Sequence, residues 1–331
     1  MNNQFDQVAN ATQQNGIVDA SIVKRKKVEV KSFKEMAVEG ESLPELKKLF
    51  GNHILEGNTV LFPAERGIGK TFLSLELAIV IAEGEDSFIG EPIELNGNTL
   101  YINMELGERI MMKRLSTLYK GFVKKKESQY QAYCITGRKC FAEIEFDVES
   151  WVKQYNPVLV VVDNLRTAFS ESDNERNKEM TRAITKLNTL RDKYGFSLLL
   201  VHHTKKGTSS LATNSDLQSG AGAITDLVDG DFFMRKSQNG TDLRLLKRAK
   251  SRNCEEQDGS KLIRLNPETL WFELIEESVD EMDHIFFPGS LDAKDAELKQ
   301  TAVLLRNEGK TFEEIGLALG KNKSTISRWF K

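Results

Sequence analysis

T-V-L-F-P-A-E-R-G-I-G-K-T-F-L-S-L-E-L-A, residues 59–78, decides how this chain folds. A β-prone apolar run leads into a loop with two glycines, and a segment rich in Leu and Ala follows directly. Strand, loop and helix thus come in the order that a phosphate-binding loop requires. Such a loop turns successive backbone N–H groups inward on a phosphate chain, with a helix N-terminus behind them. It also needs a lysine that reaches the terminal phosphates and a hydroxyl that faces a magnesium ion. Gly67, Gly69, Lys70 and Thr71 supply these parts, and Ala64, Glu65, Arg66, Ile68 and Phe72 complete the candidate binding set. Ala64 stands where a first glycine is usual, a small-for-small exchange that the backbone accepts if φ is negative.

On either side of the loop the pattern repeats in kind. Apolar runs at 99–103, 158–162 and 197–201 alternate with helical stretches at 70–83, 107–120 and 174–194. Strands that are apolar throughout and separated by helices predict an α/β fold with a mostly parallel sheet covered on both faces. Beyond residue 230, strand-like runs at 231–235, 243–248, 261–265 and 270–274 are joined by turns such as Asn239-Gly240, which predicts antiparallel hairpins extending that sheet. The V-L-V-V-V run ends in Asp163, an acid in the right place to serve the outer shell of a nucleotide-bound magnesium ion, through water.

Composition narrows the class of partner. The 331 residues are 40% hydrophobic, and 46 Lys plus Arg against 49 Asp plus Glu leave a net charge of −3. No whole-chain field draws the protein to nucleic acid or to an anionic membrane, so any such binding is local. Three cysteines without a C-x-x-C pair suit neither a disulfide framework nor a zinc site. The apolar runs are too short to span a bilayer, and the polar start M-N-N-Q-F-D-Q-V lacks a signal core; a cytoplasmic protein with no membrane partner is expected.

Three domains are expected: a disordered basic arm over 1–30 containing Lys24-Arg25-Lys26-Lys27, a core over 31–283, and a small all-α module over 284–331. The stretch 32–50 reads as short helices broken near Gly40 and Pro44, and the acidic stretch 276–283, ahead of Pro288-Gly289, reads as a linker.

The order of the loop, T-L-Y-I-N-M-E-L, V-V-V-D-N-L, L-L-L-V-H-H-T-K-K-G and K-R-A-K-S-R-N resembles the RecA-like ATPases, specifically hexameric helicase cores of the RepA and DnaB type, over about 40–275. The resemblance implies ATP and Mg²⁺ as cofactors and a homo-oligomer, a hexamer in that family. It gives Glu105, at the end of the strand expected beside the loop strand, the task of polarising the attacking water. It gives His203 the place of a γ-phosphate sensor, with His202 turned toward the core. Lys250 and Arg252 match a pair that reaches a neighbouring subunit's γ-phosphate. The stretch 205–222 matches loops that hold single-stranded DNA in a ring channel, with Lys205 and Lys206 on phosphates.

At the C-terminus, T-F-E-E-I-G-L-A-L-G-K-N-K-S-T-I-S-R-W-F reads as helix, tight turn at Gly320, helix, and resembles the helix-turn-helix of resolvases and sigma factors. Lys323, Ser324, Thr325 and Arg328 fall near the start and outer face of the second helix. Arg328 suits a base contact, and Lys321 and Lys323 suit phosphates. Two functions share these residues: a DNA-dependent ring helicase or translocase serving replication or mobilisation of a mobile element, and an ATP switch bound at a duplex site that hydrolyses ATP without unwinding.

Overall fold

The computed structural model describes residues 30–124, 127–137, 141–164, 173–203, 226–251, 259–285, 291–307 and 309–330. The basic arm, Lys205, Lys206 and the rest of 205–222, and Arg252 lie outside the described residues; of Lys250 only the backbone is described.

Residues up to Glu45 form one unit and those from Leu46 another. In the first, Phe33–Glu41 is helical (α1), started by Ser32, whose hydroxyl accepts the Glu35 N–H while the Glu35 carboxylate accepts the Ser32 N–H. The expected second helix is absent from the next unit: Lys48–Phe50 is a short strand (β1) paired with Ile54–Leu55 (β2). Leu49 and Phe50 are fully buried there, and apolar packing overrides the helical look of L-P-E-L-K-K-L-F.

The body continues with β3 (Thr59–Ala64), α2 (Lys70–Ala82), the small pair β4 (Ser87–Phe88) and β5 (Glu91–Pro92), β6 (Thr99–Asn103), α3 (Glu108–Gly121), β7 (Ala132–Thr136) and α4 (Phe141–Tyr155). Next come β8 (Leu159–Asp163), α5 (Asp173–Tyr194), β9 (Ser197–His203), β10 (Gly230–Lys236), β11 (Leu243–Ser251), β12 (Ser260–Leu265) and β13 (Phe272–Val279). Nine strands form one sheet in the order β13-β12-β11-β10-β3-β9-β8-β6-β7. From β7 to β10 neighbours run parallel; β10 to β13 pair antiparallel, as the turn signals predict.

Helices cover both faces. Leu199 and Val201 of β9 point into a cluster with Leu73, Leu77 and Ile81 of α2, while Leu198 and Leu200 point into a second cluster with Val148 of α4 and Ile184 and Leu187 of α5. Each such side chain contributes about 1.5–3 kcal/mol on burial, which explains why the central strands carry no polar alternation until their ends.

Two further expectations need correction. The strand that carries Glu105 is not beside the loop strand: β9 and β8 lie between β6 and β3. A crossover helix allows return to either side, so chain order alone does not settle strand order. The acidic stretch 276–283 is no linker either. Glu276 and Glu277 belong to the edge strand β13, and Glu281 opens a short helix, α6 (Glu281–Ile285), buried against Arg235 at 3.4 Å and Lys247 at 3.5 Å.

At the C-terminus α7 (Leu291–Asn307), α8 (Phe312–Leu319) and α9 (Lys323–Trp329) enclose their own cluster of Ala302, Ile315 and Ile326, with Leu305, Phe312, Leu319 and Trp329 around it. Thr311 and Glu314 form a capping box, and Gly320 closes α8 in the left-handed region at φ +64°. Gly316 is required by a close approach, since a Cβ there would lie 2.6 Å from the Lys321 carbonyl oxygen. Phe330 stacks on Phe312 with ring centres 5.2 Å apart, at the rim of the cluster.

Candidate nucleotide site

The loop between β3 and α2 turns on Gly67 (φ +76°) and Gly69 (φ +105°), values that residues with a Cβ rarely adopt. It delivers Lys70 and Thr71 to the first turn of α2, where backbone N–H groups have no partner within the helix. Lys70 is almost fully buried and donates to the carbonyls of Ala64 (2.7 Å) and Glu65 (2.5 Å), residues of its own loop. Burial pulls its pKa down to about 8, while Asp163, Glu105 and Glu65 draw it upward. Both hydrogen-bond acceptors are neutral, so an anion at that nitrogen would restore the charge that burial opposes. Ile68 is buried, Arg66 is exposed, and Phe72 is partly covered by the Arg114 guanidinium, 4.8 Å from its ring centre.

Asp163, at the carboxyl end of β8, sits directly across from the loop. Its Oδ2 accepts from the Thr71 hydroxyl at 2.8 Å and from the Tyr101 hydroxyl at 2.7 Å. Burial pushes this carboxyl up and the two hydroxyl bonds pull it down. Tyr101, on β6, also meets Ser74 of α2 at 3.0 Å. The Ser74 hydroxyl donates to the Lys70 carbonyl at 2.9 Å. A hydroxyl that gives its proton to a buried carboxylate keeps its lone pairs for a cation. Thr71 and Asp163 therefore have the donor chemistry that magnesium takes, and the arrangement fits such an ion.

Glu105 follows β6, yet reaches its neighbours across the strand ends. Its Oε2 accepts from Asn164 Nδ2 at 3.0 Å and lies 3.3 Å from His203 Nε2 at the end of β9. The His203 bond, followed by the one from Asn164, outweighs partial burial and holds the carboxyl down at about 2. Three strand ends and one helix start thus converge, as expected at the carboxyl edge of a parallel sheet. His203 is the buried histidine and His202 the more exposed, the reverse of the expected turn toward the core.

The sequence reading missed Tyr101, Ser74 and Asn164. Asn164 is visible in hindsight as the residue after the strand-end acid in V-V-V-D-N; Tyr101 and Ser74 become legible only once β6 and α2 are known to touch. Lys250 pairs by register with Asp231 near the end of β11. In the C-terminal helices Lys323 pairs with Glu313 at 3.1 Å and Arg328 folds back on the Ser324 carbonyl at 3.2 Å, all exposed. Ser324 and Lys321 are also at the surface or partly so, and Thr325 is partly buried.

A family model described as AAA domain matches residues 24–209. No curated protein matches the sequence. Among solved structures, the chain is similar to the ATPase domain of G40P, with a TM-score of 0.56 and 14% identity over 75% of this chain and 100% of that one. It is similar also to a DnaB-like replicative helicase studied with its interactions with primase, with a TM-score of 0.54 and 14% identity over 75% of this chain and 69% of that one. At these identities the likeness is one of fold.

Proposed function

We propose that this chain, which belongs to the AAA domain family, binds magnesium-ATP in the Gly67–Thr71 loop and hydrolyses it within a homo-oligomeric ring, a hexamer, that moves on or unwinds DNA. Family and fold make it a P-loop nucleoside triphosphatase of RecA-like, DnaB-like architecture. The observation that carries the finer reading is the convergence of Lys70, Thr71, Asp163 and Glu105 on one edge of the sheet.

Each side chain has a task that its chemistry permits. Lys70 exchanges two carbonyls of its own loop for phosphate oxygens. Thr71 sends its proton to Asp163 and turns its lone pairs outward; Asp163, held by Tyr101, supplies negative charge behind it. Magnesium would neutralise charge growing on the phosphates. Glu105, anionic with its Oε2 engaged by Asn164 and His203, accepts from the attacking water through its other oxygen. A carboxyl with a pKa of about 2 orients that water more than it takes its proton, which suits the loose transition state of phosphoryl transfer. His203 ties Glu105 to β9, the neighbour of the loop strand, so loss of the terminal phosphate is felt at the strand that leads into 204–225. Lys250 and Arg252 serve the adjoining subunit's site, and Lys205 and Lys206 meet the strand in the channel.

The α8–turn–α9 unit works in this reading as a helix-turn-helix. Ser324, Thr325 and Arg328 face the major groove, and Lys321 and Lys323 meet phosphates. The Lys323–Glu313 pair is solvent-exposed and so weak enough to yield to DNA. This basic module, on a chain of net negative charge, also favours a second reading, a site-bound ATP switch. Forked-duplex strand displacement, run beside ATPase with and without single-stranded DNA, separates the two. Unwinding that disappears in Lys70→Ala supports the helicase; hydrolysis stimulated only by duplex of a particular sequence supports the switch.

A further inference from the structure

Arg244 lies on β11, two strands from β3, and is buried to 5% exposure. Its Nε donates to the carbonyl of Ile68 at 2.8 Å, inside the phosphate loop, and its Nη1 donates to the carbonyls of Thr241 and Leu243, each at 2.8 Å. A guanidinium taken out of water is expensive, and all three of these acceptors are main-chain oxygens. From the same sheet extension Phe272 of β13 presses on the next loop residue: a Cβ at Gly69 would stand 2.8 Å from the ring's Cζ.

We propose that Arg244 is a positioning residue for nucleotide binding, fixing the Ile68–Gly69 peptide so that the Gly69 N–H faces the phosphates. The proposal rests on the reading of residues 64–71 as the nucleotide site. In a trans peptide the C=O and N–H lie in one plane and point in opposite directions, and the Ile68–Gly69 bond is trans. Pinning the Ile68 oxygen toward β11 therefore aims the Gly69 N–H away from β11, into the loop. Gly69 has no Cβ to resist a flip of that peptide, so the loop sequence alone does not hold it. The hydrogen bond from Arg244 and the ring of Phe272 do so from behind.

The test uses the full chain and the variants Arg244→Met and Arg244→Gln, with Mg·ADP and a slowly hydrolysed Mg·ATP analogue as probes. Nucleotide Kd and the gain in Tm on adding saturating nucleotide are both read. Loss of one hydrogen bond from a charged donor is expected to raise Kd about tenfold, and the nucleotide-induced gain in Tm shrinks in proportion. A residue that only knits the hairpin would lower Tm with and without nucleotide alike, leaving Kd and the gain untouched, and that result in either variant overturns the proposal. Either variant suffices should the other not fold. A parent chain that is folded yet binds neither probe refutes the nucleotide site itself; a parent that binds, beside variants of equal affinity, refutes only the role of Arg244.

Discussion

Glu76 gives the sharpest physical prediction, because it is an acid fully buried from solvent. It lies on α2 six residues beyond Lys70, fully buried. Its Oε2 accepts the Phe272 N–H at 2.8 Å, and its Oε1 has no hydrogen-bond partner among the described residues. Burial lifts its pKa well above 4.5, against the smaller downward pull of the Phe272 N–H. The folded protein therefore keeps a proton on Glu76 at pH values where the unfolded chain has lost it. Above pH 4.5 the unfolded state binds fewer protons, so stability falls as pH rises, until the folded group ionises too. The slope is about 1.4 kcal/mol per pH unit wherever the unfolded group is ionised and the folded one is not. Glu76→Gln retains an oxygen for Phe272 and has no proton to lose. It also buries an amide group without acceptors, at a constant cost of about 1–3 kcal/mol. The variant should accordingly be the weaker protein near pH 5 and gain steadily on the parent as pH rises. Urea unfolding of both at half-unit steps from pH 5 to 8.5 measures the difference. Parallel curves would mean that Glu76 is ionised in the folded state, and the burial argument would fail.

Other perturbations test the site. Lys70→Ala should abolish hydrolysis, while Glu105→Gln should bind nucleotide with parental affinity and turn over roughly a hundredfold or more slowly in steady-state assays. Gly69→Ala places a methyl against Phe272 at a φ of +105° and should lose nucleotide binding; Gly69→Ala with Phe272→Leu should recover part of the lost Tm, though not the affinity. Arg252→Ala and Lys70→Ala, each inactive alone, should recover about a quarter of parental ATPase when mixed equally in a ring. A productive interface needs one chain's loop beside the other's arginine, and each is present half the time. Deleting 290–331 should leave basal ATPase unchanged and abolish affinity for a specific duplex in gel shifts.

What the sequence made legible is what depends on local chemistry. Lys70 and Thr71 must follow their glycines within a few residues, and Asp163 must end an apolar run, so both patterns survive in one dimension. Glu105 was identified by the company of its motif, but its place in the sheet was not: it lies three strands from β3, where Asn164 and His203 bond its Oε2. Arg244 was invisible for a different reason. In L-R-L-L-K-R it is one basic residue among several, and only the pairing of β11 with β12, which sets Arg244 opposite Ile263, decides which of them goes inside. Acidic composition misled at 276–283, because an edge strand can leave most of one face to water and still belong to the sheet.

The antiparallel extension then has a meaning beyond covering the core. One strand, β11, touches the loop between β3 and α2 through Arg244 and carries Lys250 six residues further on, about 20 Å along an extended chain. If Lys250 serves a neighbouring subunit, then its position near the end of β11 and the direction of the Gly69 N–H are set by the same strand. A shift of β11 by a fraction of an ångström would alter both at once. Coupling between adjacent sites would then need no separate relay, since the strand proposed to reach one nucleotide is hydrogen-bonded to the loop proposed to hold the other. The Arg244 variants bear on this directly: if the ladder couples the sites, they should lower the Hill coefficient of ATP hydrolysis as well as the affinity, whereas a purely local role would change affinity alone.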